Sequence, residues 1–128
     1  FYAHHVGGDA GPAARGAAVH DMMRTQETAL LQPLLDAVKS RNSVRLIGPA
    51  EAEGRAPTVA LALNRRAEDV AAALVKHGVM AGGGDFYAGR VLNAMGVDEA
   101  RGVLRLSFTH YTSRAEIDQL LNALDDVL

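Results

Sequence analysis

Apolar residues recur at three- and four-residue spacings from about Ala13 to Ser40, at Val19, Met22, Met23, Leu30, Leu31, Leu34, Leu35 and Val38. That period predicts one long amphipathic helix. Pro33 falls inside it and removes one helical hydrogen bond, so a kink near Ala29–Pro33, or a new helix with Pro33 in its first turn, is expected. The pattern then shifts to period two. Ser43–Ile47 reads as a short strand closed by Gly48 and Pro49, and Ala50–Pro57 as a charged loop. In Thr58–Leu63, Val59, Leu61 and Leu63 share one face while Ala60 and Ala62 share the other, which predicts a strand buried on both sides.

Helical spacing returns over Asn64–His77, with Val70, Ala71, Leu74 and Val75 as the apolar stripe and Gly78 as a natural stop. Val79–Ala81 suggests a very short strand, Gly82–Asp85 a flexible turn, and Phe86–Met95 a short helix ended by Gly96. Val103–Phe108 is the last strand, with Leu104, Leu106 and Phe108 facing one way and Val103, Arg105 and Ser107 the other. Ser113-Arg114-Ala115-Glu116 has the spacing of a capping box and opens a final helix. The expected fold is α+β. It is a mostly antiparallel sheet of about four strands with helices on one face, the other face being open to a partner.

The length, 128 residues, fits one domain, and 48% hydrophobic with 22% charged residues is the composition of a folded globular chain. A net charge of -2 argues against a nucleic-acid partner, which needs clustered positive charge. Arg65-Arg66, the one basic doublet, reads as a solvated helix start. The chain contains no cysteine, so disulfides, thiolate catalysis and cysteine-based metal sites are excluded within it. That composition suits a reducing cytosol, and a cytoplasmic location is expected. No run of eighteen apolar residues occurs and no membrane span is expected. Nor does the N-terminus show a signal-peptide pattern. The first residue is Phe1 rather than Met, which suggests numbering that starts inside a longer chain.

Few residues offer chemistry. Adjacent His4 and His5 diverge and make a poor metal pair. Gly82-Gly83-Gly84-Asp85 could cradle a phosphate through its amides, but lacks both the P-loop Lys-Ser/Thr and the third glycine of GxGxxG. His110 and Tyr111 follow the last strand and could reach a site at its end. Arg105 alternates with large apolar residues. Pattern alone suits a solvated sheet face, while guanidinium geometry also suits a fork onto a carboxylate.

The run from Gly102 to Thr112 (GVLRLSFTHYT), followed by Ala115-Glu116-Ile117-Asp118 and Leu120-Leu121, resembles the C-terminal signature of class V aminotransferases and cysteine desulfurases. Gly78–Ala88 (GVMAGGGDFYA) is similar to the loop that carries the reactive cysteine in desulfurases, and its GDFYA wording to a subfamily lacking that cysteine. The resemblance is good over residues 78–128 and looser over 13–77.

The resemblance implies the small domain of a pyridoxal-phosphate enzyme of fold type I. Residues 1–128 would be a single small C-terminal domain, with 1–12 a connecting segment arriving from a large domain. Arg105 would grip the substrate α-carboxylate, and Asp85, Phe86 and Tyr87 would line the substrate mouth. Tyr87 stands where a desulfurase has its nucleophilic cysteine, and Gly82 where desulfurases often have arginine. Transamination, elimination and racemisation all remain open. The cofactor needs a lysine, and neither Lys39 nor Lys76 has the family's Ser-x-His-Lys context. Pyridoxal phosphate is therefore expected on a large domain absent from this sequence, with no catalytic residue or cofactor in this chain alone. The expected partners are that large domain, an amino-acid substrate and a second copy of the parent enzyme. The alternative is a free-standing α+β module that binds a small ligand or dimerises through its open sheet face.

Overall fold

Period-two alternation along the two central strands, large against small apolar residues in one and leucines against Arg105 and Ser107 in the other, decides the architecture. A computed structural model describes residues 11–128. His4, His5 and nearly all of the expected connecting segment lie outside the described residues. In chain order the elements are α1 (Pro12–Lys39), β1 (Val44–Ile47), β2 (Thr58–Leu63), α2 (Ala67–Val75), β3 (Gly82–Gly84), α3 (Gly89–Ala94), β4 (Val103–Ser107) and α4 (Arg114–Val127). The strands form one antiparallel sheet in the order β1-β2-β4-β3. This is the expected α+β class.

Val59, Leu61 and Leu63 of β2 and Leu104 and Leu106 of β4 point to one face. There they meet Leu31, Leu34, Leu35 and Val38 of α1, Val70 and Leu74 of α2, and Leu120 and Leu124 of α4. The three longer helices thus cover one side. Helix α1 contributes buried residues only from Leu30 onward, so its first half runs out beyond the core. Pro33 does not divide it: the helix runs from Pro12 to Lys39 with Pro33 inside it. The capping box of α4 forms as expected. Ser113 Oγ accepts from the Glu116 amide at 3.3 Å, and Glu116 Oε2 accepts from the Ser113 amide at 2.7 Å.

The opposite face is partly covered. Leu92 of α3, Val97 and Val103 form a second apolar cluster against Ile47, Ala60 and Ala62. The alanines of β2 leave the room that Leu92 and Val97 fill. Arg45 of β1 fastens this layer by donating to the carbonyls of Met95 at 2.9 Å and Gly96 at 3.3 Å, at the end of α3. The sheet's second face is therefore open only toward the β4–β3 side.

Three local expectations are corrected. Val79–Ala81 is not a strand, and the strand starts only at Gly82. Gly82–Gly84 is not a flexible turn but the edge strand itself, with Gly82 opposite Arg105 and Gly83 opposite Leu104. Close approach explains the sequence: a Cβ on Gly83 would lie 2.5 Å from backbone atoms of Ala67 and Glu68, at the start of α2. Phe86–Met95 is not one helix. Phe86 and Tyr87 take left-handed conformations, φ 51° and 60°, and the helix begins only at Gly89.

Candidate functional site

Strand register puts Arg105 in a shallow place. It lies between Ala60 of β2 on one side and Gly82 of β3 on the other. Neither neighbour carries a side chain long enough to cover it, and Arg105 is exposed. Its guanidinium carbon sits over the Phe86 ring, 4.1 Å from the centroid, the geometry of a cation–π contact. Among the described residues, no carboxylate lies within ion-pair distance of it. Next to it on β4, Ser107 shares a hydroxyl hydrogen bond of 3.2 Å with Thr58 across the β2–β4 pair.

The turn after β3 brings Phe86 back over the strand it has just left. A Cβ on Gly82 would meet the tip of the Phe86 ring at 2.9 Å and 3.0 Å, so the ring occupies the space that a side chain at position 82 would need. Asp85 Oδ1 accepts from the Tyr87 amide at 3.2 Å, and the Asp85 carbonyl accepts from the Ala88 amide at 2.9 Å. These bonds hold the two left-handed residues. Left-handed backbone is uncommon for bulky side chains and costs on the order of 1–3 kcal/mol per residue. Tyr87 is fully exposed.

Of the four residues expected at the site, Arg105 and Phe86 are in direct contact. Asp85 shapes the turn, and Tyr87 stands at its outer edge. Ala60 and Gly82 flank Arg105, and their smallness keeps it uncovered. Nothing in the sequence marks Ala60, and Gly82 stands out there only through the family resemblance, because their effect on Arg105 comes from strand register.

A cleft of about 380 Å³ lies beside β3, lined by Arg66, Glu68, Gly83–Tyr87, Glu99 and Arg101 among others. Its cations are already answered: Arg66 pairs with Glu68, and Arg101 Nε lies 3.3 Å from Asp98. With the glycines committed to a strand and the arginines paired, a phosphate cradle finds no support here. Arg65 donates to the Val127 carbonyl, so the basic doublet fixes helix ends rather than forming a patch.

His110 and Tyr111 pack edge to face on each other, with centroids 5.3 Å apart. His110 Nδ1 lies 3.8 Å from Glu27 of α1, and the ring lines an open groove of about 550 Å³ with Met22 and Met23. His110 faces α1 rather than the Arg105 turn, and Tyr111 is exposed. Among the described residues, no group of His, Asp and Glu could hold a metal ion, and no helix is long and apolar enough to cross a membrane.

The sequence pattern of the Aminotransferase class-V family matches residues 17–120. MT3887 of Mycobacterium tuberculosis, an uncharacterized protein, is 34% identical over 92 residues, which is 71% of this chain and 22% of that protein. Among solved structures, a cysteine desulfurase from Thermococcus onnurineus superimposes with a TM-score of 0.75 at 23% identity, covering 89% of this chain and 28% of that one. A NifS-like protein from Rickettsia africae gives 0.69 at 21% identity, covering 90% and 31%. The structural likeness establishes the fold, and the chain spans less than a third of either structure's length. The family match covers most of the chain: it belongs to the class V aminotransferases.

Proposed function

We propose that this chain is the small C-terminal domain of a pyridoxal-phosphate enzyme acting on amino acids, and that it closes over the substrate with Arg105 binding the α-carboxylate. The observation that carries the reading is an exposed arginine, set between Ala60 and Gly82, which are too small to cover it, and without a carboxylate partner among the described residues. Two parallel N–H groups of a guanidinium match the two oxygens of a carboxylate, a fit that lysine cannot reproduce. Family membership and the likeness to part of larger desulfurase-type structures support the same reading.

The residues of this chain do not fit a site for the cofactor itself. A Schiff base needs a free lysine amine. Lys39 Nζ is engaged by Glu51 at 2.9 Å, and Lys76 is the C-cap residue of α2. Both belong to helices on the sheet face opposite Arg105. The cofactor, its lysine and the reacting atoms are therefore assigned to a larger domain, which residues 1–12 would connect to this one. A homodimeric, cytoplasmic parent belongs to the same proposal. This chain contributes orientation: a carboxylate fixed by Arg105 leaves the amino group and Cα of the substrate to the other domain. No cysteine is available here as a persulfide carrier.

The test is Arg105→Ala in the complete enzyme, assayed with L-cysteine and L-alanine. Loss of charge-assisted hydrogen bonds worth about 1.5–3 kcal/mol raises KM by about 10- to 150-fold. Arg105→Lys recovers only part of it, because the fork is lost. Unchanged KM removes Arg105 from the site.

A further inference from the structure

We infer that Phe86 is a positioning residue for Arg105, and that Gly82 is glycine so that the Phe86 ring can take this place. The inference rests on the carboxylate reading above and adds the residue that makes the guanidinium ready for its ligand.

Three independent observations converge on it. The guanidinium carbon of Arg105 lies over the ring at 4.1 Å. The ring also lies over Gly82, close enough that no Cβ fits beneath it. The backbone that delivers the ring, Phe86 and Tyr87, is held in two consecutive left-handed conformations. Strain of this kind persists only where the surroundings over-determine it. Here Asp85 bonds the turn, and the partly buried Phe86 packs against the second apolar cluster. Gly82 itself has no positive φ, so its backbone would accept alanine. Besides leaving its strand neighbour Arg105 uncovered, that position has to make room for the ring.

The chemistry follows from the shape of a guanidinium. Its N–H donors lie in its own plane. A ring against one face attracts the cation, limits its rotamers, and leaves the donor edge free for a carboxylate. An unstacked arginine on an open sheet would sample many rotamers and lose that freedom on binding.

The experiment is NMR of the 128-residue chain, following the Arg105 side-chain Nε–Hε resonance while sodium acetate is added as the carboxylate probe. The variants are Phe86→Leu, Phe86→Trp, Gly82→Ala and Gly82→Ala/Phe86→Leu, with backbone amide spectra showing that each is folded. In the unmodified chain the resonance is displaced by the ring and moves with acetate. Phe86→Leu abolishes the ring displacement and reduces the initial acetate response by about two- to fivefold, the size of an exposed cation–π contact. Phe86→Trp keeps both. Gly82→Ala, which displaces the ring without removing it, reproduces the Phe86→Leu loss and adds nothing in the double variant. An acetate response equal in Phe86→Leu and the unmodified chain overturns the role of Phe86 and leaves the carboxylate reading standing. No acetate response in the unmodified chain overturns both. If Phe86→Leu fails to fold, Gly82→Ala against Phe86→Trp decides: equal responses from those two overturn the inference.

Discussion

Gly83→Ala adds one methyl group at the place where β3 passes closest to α2. The new Cβ would stand 2.5 Å from the Ala67 carbonyl carbon and from the Glu68 nitrogen, and 2.6 Å from the Ala67 oxygen, where ordinary contact begins at 3.4 Å. All three are backbone atoms, so no side chain can rotate away. The first turn of α2 is also pinned from behind, because the Ala67 amide donates to the Arg101 carbonyl at 2.9 Å. Either the strand moves outward or the helix does. Three backbone contacts this far inside that limit put the cost of overpacking at the upper end of about 1–3 kcal/mol. The entropy gained by replacing glycine recovers no more than about 1 kcal/mol. For a chain of this size each kcal/mol lowers Tm by roughly 3–6 °C, so a fall of several degrees is expected in thermal unfolding followed by circular dichroism. Gly16→Ala is the matched control. It makes the same chemical change on exposed α1, with nothing within 4 Å of the new methyl. There alanine favours the helix by about 1 kcal/mol, so helicity rises and Tm does not fall. A Tm for Gly83→Ala equal to or above the unmodified value would refute the tight β3–α2 contact.

The cap of α4 gives a pH dependence. The backbone N–H of Ser113, and then its hydroxyl, hold the Glu116 carboxyl below the ordinary glutamate value. Between those two values the unfolded chain binds the extra proton, so this contribution to stability is present above the ordinary value and is lost as pH falls through the folded one. Unfolding curves measured across that acid range should therefore converge for the unmodified chain and Glu116→Gln as pH falls; a constant gap would refute the assignment. Mixing the 128-residue chain with pyridoxal phosphate should give no Schiff-base absorbance, and a stable adduct on Lys39 or Lys76 would sink the assignment of the cofactor to another domain.

Much of the fold was legible because it rests on side-chain period. The alternation in Thr58–Leu63 and Val103–Ser107 sorts residues onto two faces, and the two apolar clusters follow that sorting. The serine-to-glutamate spacing at residues 113 and 116 fixed the start of α4 because its partners are three residues apart. The errors fell where long-range contact overrides local preference. Three consecutive glycines have poor strand propensity, and only the approach of α2 makes β3 a glycine strand. The helical spacing after Phe86 starts before the helix does, because the left-handed turn at Phe86 and Tyr87 comes with a fold-back onto Gly82 that spacing cannot reveal.

The same division separates what could and could not be read about Arg105. Period two assigns it to the face away from the main core. Exposure alone makes an arginine on that face no different from a solvated one. Register supplies the distinction, by setting Ala60 and Gly82 on its two sides and leaving the guanidinium uncovered. The turn after β3 then puts an aromatic ring against it. A solvated arginine requires neither small neighbours nor a strained turn. The proposed carboxylate clamp would be served by both, the first leaving space for a ligand and the second orienting the guanidinium. The acetate response of the Arg105 side-chain resonance therefore tests more than one residue: its dependence on the Phe86 ring, for which Gly82 makes room, is the consequence that a merely solvated arginine would not show.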